Sequence, residues 1–184
     1  MATTIKRMTA EEFMLLPRPS DGSRQELVRG EIVEMPGPTW RHGEIAGNVY
    51  FAIKSYLRGN PIGRVVVESG AIVERDPDTV RGPDVSFMGK DRMPLDAEMA
   101  CYADGGPDLC VEVLSPSNTR RQMREKIVEY FSSGSKLVWL VDPDDRSVTV
   151  YEKPDEGRML HQGTVIDGGD VLPDFSCPVA DFFK

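Results

Sequence analysis

The sequence predicts an α/β fold, on three observations. Residues 107–142 read as strand, helix, strand; residues 40–58 carry a second helical pattern; and short β-type runs bounded by Gly and Pro lie on either side of both. At 184 residues the chain suits a single domain, 1–184, with enough length for a substantial core.

The 107–142 stretch organises the rest. Leu109 to Leu114 is a short apolar run rich in β-branched residues, which reads as a buried strand interrupted by one carboxylate, Glu112. An ionised acid buried without a partner costs several kcal/mol, roughly, so Glu112 must be neutralised, ion-paired or bound to a cation. Ser115-Pro116-Ser117-Asn118 follows, with Ser or Asn as candidate N-cap of an amphipathic helix to about Ser132, and Gly134 closes that helix. Met123, Ile127, Tyr130 and Phe131 make its apolar stripe, and Lys126 falls on the stripe's border with its ammonium tip free. Leu137 to Val141 is the second strand, with a parallel crossover expected between the two.

In chain order, Thr9-Ala10-Glu11-Glu12 has capping-box spacing, and Phe13, Leu15 and Leu16 give a short helix an apolar side before Pro17. Residues 26–35 read as an N-terminal β-hairpin turning near Gly30. From Trp40 to about Arg58, Ile45, Val49, Ala52, Ile53, Tyr56 and Leu57 recur at helical spacing, and Gly59-Asn60-Pro61 ends the segment. Arg64–Glu68 and Ala71–Glu74 read as strands broken near Gly70; Val85–Met88 is the next strand after Pro83-Asp84. Residues 89–106 show no periodic element and are expected to be a mobile loop. Beyond the central unit, Ser147–Tyr151 opens a hairpin, and the tail to Phe183 supplies short strands with apolar anchors.

Composition excludes several classes. No apolar run approaches a membrane span, and the start Met-Ala-Thr-Thr-Ile-Lys-Arg lacks the apolar core of a secretory signal, so a cytoplasmic protein is expected. Three cysteines without a Cys-x-x-Cys fit reduced thiols and give no zinc-ligand spacing. The net charge of −8 argues against a protein that grips nucleic acid over its whole surface, while leaving room for a local groove.

Pro-Asp occurs six times, and most copies are simply turns. Only Pro83-Asp84 and Pro107-Asp108 open directly into strand-like runs. Asp108 lies four residues before Glu112 on one strand, about 13 Å away at roughly 3.3 Å per residue, too far to share an ion. Asp84, on a different strand, can be brought beside Glu112. These two acids, with the carbonyl of Val113 and waters, make an all-oxygen site suited to Mg²⁺ or Mn²⁺. A lysine at its edge, Lys126, would orient or deprotonate an attacking water and stabilise charge on a phosphate oxygen. The competing structural readings are an ion pair of Glu112 with Lys126 or an arginine, and a lysine lying along the core edge. Arg120, Arg121 and Arg124 form a basic patch on the same helix, either a phosphate-contacting surface or a solvated face.

Pro83-Asp84, Glu112-Val113-Leu114-Ser115-Pro116-Ser117, Arg124-Glu125-Lys126, Tyr130, Gly134 and Val138-Trp139-Leu140-Val141-Asp142 resemble the Uma-two family of nucleases, within the PD-(D/E)xK, restriction-endonuclease-like superfamily. The likeness runs from Glu26-Leu27-Val28-Arg29-Gly30-Glu31 through His42 to the last Phe residues. It implies a restriction-endonuclease-like core, a central mixed sheet (α+β) flanked by helices, with Asp84 and Glu112 as metal ligands. The superfamily's strand lysine position holds Leu114 here, and the resemblance assigns that role to Lys126 on the following helix. Glu26 and His42 match positions of possible auxiliary residues. The function so implied is a Mg²⁺-dependent (or Mn²⁺-dependent) endonuclease that hydrolyses phosphodiester bonds in DNA, working as a homodimer because two copies of one site would cut both strands. The alternative is a catalytically inactive binding or assembly module that keeps the fold.

Overall fold

A computed structural model of the chain describes residues 7–184; residues 1–6, which hold most of the start read above for a leader, lie outside the described residues. The architecture is the expected mixed α/β arrangement. A six-stranded sheet is built from β3 (Gly63–Val67), β6 (Val85–Gly89), β8 (Leu109–Val113), β9 (Leu137–Asp142), β10 (Ser147–Lys153) and β11 (Glu156–His161), in the order β11-β10-β9-β8-β6-β3. Only β8 and β9 run parallel, joined by the helix α3 (Arg120–Ser132); the other neighbours are antiparallel.

Alternation of side chains along these strands divides the sheet into two chemically different faces. Val85, Phe87, Leu109, Val111, Val113, Leu137, Trp139 and Val141 point to one face, where they pack on Ile45, Val49, Ile53 and Leu57 of helix α2 (Trp40–Gly59) and on the C-terminal Phe175 and Phe182. Those last two come from β13 (Leu172–Pro178), which pairs with β12 (Val165–Gly168), and from a closing 3-10 helix, Val179–Phe183. The even-numbered residues of β6, β8 and β9 face the other way, where Cys110 and Val138 pack with Ile127 and Tyr130 of α3 and with Ala71 and Val73.

Ala71 and Val73 belong to a second, five-stranded sheet ordered β2-β1-β5-β4-β7, made of β1 (Arg24–Val28), β2 (Glu31–Met35), β4 (Ala71–Glu74), β5 (Thr79–Arg81) and β7 (Ala103–Asp104). Its far side is closed by helix α1 (Ala10–Met14), with Ala10 and Phe13 on Leu27, Ile72 and Val80. Thr9 caps α1 in the expected box with Glu12. The helix stops at Met14, though, and Leu15 is 81 % exposed, so it is no part of the apolar side.

The two strands read on either side of Gly70 are present, and they fall in different sheets: β3 joins the six-stranded one and β4 the five-stranded one. Gly70 sits at that switch because Tyr102 lies against it; a Cβ there would come 2.3 Å from the Tyr102 ring. The stretch 89–106, read as featureless, contributes β7, two residues pairing parallel with β4. The N-cap of α3 is Thr119, in a reciprocal box with Gln122, and neither Ser117 nor Asn118. Asn118 turns back instead, its Oδ1 accepting from the Ser115 N–H at 2.8 Å.

Because an N-cap hydroxyl satisfies an N–H that would otherwise be orphaned, Thr119→Ala should cost about 1 kcal/mol of folding stability. Ser117→Ala should fall within about 0.5 kcal/mol of wild type, as surface substitutions do. Paired urea denaturation curves check the contrast.

Candidate functional site

Strand register brings the two predicted acids together. In the β6–β8 pair, Val85 lies opposite Val111 and Ser86 opposite Cys110. One further step sets Asp84 opposite Glu112, both on the face turned toward α3 and the five-stranded sheet. Asp84 is 3 % exposed and Glu112 7 %. The Val113 N–H donates to Asp84 Oδ2 at 2.7 Å, which ties the loop before β6 to β8 at this point. His42, from the first turn of α2, places Nε2 3.1 Å from the same oxygen, and Arg24 Nη1 is 2.6 Å from Oδ1. Arg24 also pairs with Glu68. Burial opposes ionisation of Asp84, but His42, the Val113 N–H and Arg24 outweigh it and hold the carboxyl below its ordinary range.

Lys126 is not a free ammonium on a helix border. It is buried, with Nζ 2.8 Å from Glu26 Oε1 and 3.1 Å from Glu112 Oε1. Burial disfavours its charge, yet Glu112 and Glu26 together raise its pKa, so it stays protonated. Glu26 is held in turn by Arg81, whose Nη1 is 2.7 Å from Oε2, and by the Gly82 N–H at 3.2 Å. Arg81 reaches on to Glu129 of α3, Nε to Oε2 at 2.6 Å. Burial works against the Glu26 carboxylate, but Lys126 and Arg81 outweigh it and lower its pKa.

Glu112 is the exception among the three buried carboxylates of the site. Burial raises its pKa, the charge of Lys126 offsets this in part, and Asp84 and Glu26 raise it further. Its Oε1 accepts from Lys126 and from the Tyr130 hydroxyl. Its Oε2 has no hydrogen-bond donor among the described residues, and Glu112 lines a cavity of about 710 Å³. The segments 16–19, 36–39 and 115–118 contribute to its lining. Four cationic side chains on its lining, Arg18, Arg24, Arg81 and Lys126, match four carboxylates, Glu26, Glu68, Asp84 and Glu112.

The remaining predicted residues fall elsewhere. Arg120, Arg121 and Arg124 are exposed on α3 and do not line the cavity; Arg121 pairs with Glu125 at 2.8 Å. Asp108 lies at the opposite end of β8, where Gly89 N–H, Lys136 and Arg92 hold it at 2.8, 3.0 and 3.4 Å. Arg24 and Arg81 are the site residues that sequence reasoning misses. Arg24 lies two before Glu26 on β1 and so shares its face, which period-2 alternation finds; Arg81 ends a three-residue strand that offers no such signal.

A divalent ion would meet two carboxylates at one strand register, with a free Glu112 oxygen facing the cavity. Hard ions of the Mg²⁺ type use one or two carboxylates and complete their shell with water, so this donor set fits. Among the described residues no three His, Cys, Asp or Glu side chains gather into a fuller cage, which fits zinc poorly.

The raised Glu112 pKa has a sign that can be measured. In the unfolded chain this carboxyl ionises near 4.5, before it does in the folded protein, so its contribution to stability is present below that pH and lost as pH rises through the folded value. Glu112→Gln cannot titrate. Its melting temperature relative to wild type should therefore climb steadily from acid pH to neutrality, and a flat difference would contradict the assignment.

Among the described residues no helix is long and apolar enough to cross a membrane. Among solved structures the chain is similar to a crystal structure titled as a putative nuclease belonging to DUF820 from Anabaena variabilis ATCC 29413. The two are 24 % identical, with a TM-score of 0.81 over 96 % of this chain and 97 % of that one. This likeness gives the fold. Among curated proteins no match is found. The family model described as "Uma2: Putative restriction endonuclease" matches residues 10–180, nearly the whole chain. With that match over the elements that carry Asp84, Glu112 and Lys126, the chain belongs to the Uma2 family of restriction-endonuclease-like proteins, which supports a nuclease role.

Proposed function

We propose that the protein is a divalent-metal-dependent endonuclease acting on phosphodiester bonds in DNA. The observation that carries this reading is the convergence of Asp84, Glu112 and Lys126 on one cavity. Family membership and the likeness to a crystal structure titled as a putative nuclease support it.

Asp84 and Glu112 would hold Mg²⁺ or Mn²⁺, joined by the carbonyl of Val113, which lies on the same side of β8 as the N–H that reaches Asp84. A bound ion supplies charge to a phosphoryl oxygen and acidity to a water molecule. The protein's own groups do the rest. Lys126, kept protonated by two carboxylates, would serve as a hydrogen-bond donor to the phosphate or the attacking water. Glu26 and Arg81 hold the ammonium in position, Tyr130 orients Glu112, and His42 orients Asp84.

One observation favours the alternative of a non-catalytic module. Arg24, His42 and the Val113 N–H already engage both oxygens of Asp84, so an ion must share that carboxylate with a guanidinium.

Two measurements separate these readings. Mn²⁺ titrated calorimetrically into wild type should bind, and Glu112→Gln should abolish binding with its fold intact by circular dichroism. Cleavage of plasmid and oligonucleotide DNA with Mg²⁺ or Mn²⁺ should be lost in Asp84→Ala and Lys126→Ala alike, by at least about 10²-fold for a group that stabilises transition-state charge. Wild-type protein inert with both ions on duplex, single-stranded and branched DNA would establish the non-catalytic reading instead.

A further inference from the structure

The two acids of the site belong to a longer row. Val67 of β3 lies opposite Val85 of β6, and one step on, the Glu68 N–H donates to the Asp84 carbonyl at 3.2 Å. Glu68, Asp84 and Glu112 therefore share one rung across β3, β6 and β8, and all three line the cavity. Glu68 takes a φ of +48° there, a left-handed backbone that a glutamate adopts at a cost and that clusters at ligand-holding sites.

A guanidinium from the other sheet joins two of the three. Arg24 of β1 donates Nη1 to Asp84 Oδ1 at 2.6 Å and Nη2 to Glu68 Oε1. These two carboxylates are unlike. The Asp84 side chain is 3 % exposed and that of Glu68 54 %. An acid as deep as Asp84 needs a counter-charge to ionise, whereas one half in water does not.

The oxygens of Asp84 are unlike as well. Oδ2 is held by the Val113 N–H and by His42, while among the described residues Oδ1 is held by Arg24 alone. Departure of Arg24 would free one oxygen and leave two donors on the other. A divalent ion and a guanidinium on one buried carboxylate repel each other with little screening. Arg24 already has a second seat, on an acid that water keeps charged at little cost.

We propose that Arg24 is a stand-in cation, which neutralises Asp84 in the metal-free protein, yields Oδ1 to an incoming divalent ion and stays at the cavity wall on Glu68. Glu68 is thus a positioning residue for the arginine. The exchange rests on the metal-binding part of the nuclease reading. It turns the guanidinium on Asp84 from a contact that excludes an ion into one that marks its place.

The probe is Mn²⁺ alone, titrated calorimetrically into metal-free, full-length wild type, Arg24→Gln, Glu68→Gln and the double variant. Arg24→Gln should bind at least about fivefold more tightly than wild type, because no guanidinium has to leave Asp84. Glu68→Gln should bind at least about fivefold more weakly, because Arg24 loses its second seat. Plain charge effects on the ion give the same two signs, and the double variant separates them. With Glu68 acting only through Arg24, it should match Arg24→Gln within about twofold, whereas independent charge effects add. A double variant weaker than Arg24→Gln by the full Glu68→Gln factor overturns the exchange, as does Arg24→Gln no tighter than wild type; in both cases the metal reading stands. Wild-type crystals soaked in Mn²⁺ test the same step without a substitution. Arg24 Nη1 should lie beyond hydrogen-bond reach of Asp84 Oδ1 with Nη2 still on Glu68, and an ion beside an unmoved Arg24 overturns the exchange. No Mn²⁺ bound by any of the four proteins, each folded by circular dichroism, overturns the exchange and the metal reading together.

Discussion

The ammonium of Lys126 is the contact on which the site and much of the surrounding packing depend. It joins Glu26 of β1, in the five-stranded sheet, to Glu112 of β8, in the six-stranded sheet, from a helix lying between them. Arg81 extends the same chain of charges from β5 back to α3 through Glu129. Each member of such a buried network offsets the desolvation of the next, and removing one leaves another charged and unpaired, at a cost of about 3–5 kcal/mol. Hydrocarbon packing around Ile127 and Tyr130 brings the two sheets close; the ions decide how they align.

The same network explains why one acid differs from its neighbours. Glu26 and Asp84 each collect enough positive charge and N–H donors to ionise readily in spite of burial. Glu112 shares a single lysine with Glu26 and feels two other carboxylates, so its negative form is the least comfortable in the site. A carboxylate short of positive charge, with one oxygen open to the cavity, is the group that gains most from a divalent cation.

Much of this is legible in the amino-acid sequence alone. The apolar run around Glu112, the amphipathic stripe of Met123, Ile127 and Tyr130, and the helical spacing from Ile45 to Leu57 each mark an element nearly to the residue, because burial imposes a period that the sequence must carry. The pairing of Asp84 with Glu112 is inferable as chemistry, but not as register. What stays hidden is short or long-range. β5 is three residues containing an arginine, too brief for alternation to register. Lys126 reads as a border residue because its two carboxylate partners lie 100 and 14 positions away in the chain, and no local pattern encodes them. The N-cap moves from Ser117 or Asn118 to Thr119 because three capping residues stand in a row, and only Gln122 at the matching distance separates them.

The acid at the other end of β8 has a mechanical meaning. Asp108 is fastened by Gly89, Lys136 and Arg92, while Glu112, four residues on, is fastened by Lys126 and Tyr130. A strand whose middle is Cys110 and Val111 could slide by one residue with little change in greasiness, but both anchors would then swing to the Trp139 side of the sheet, into hydrocarbon with no counter-charge. The strand is thus bolted at two points. Insertions and deletions in the loops on either side can be absorbed without shifting Glu112 along its track.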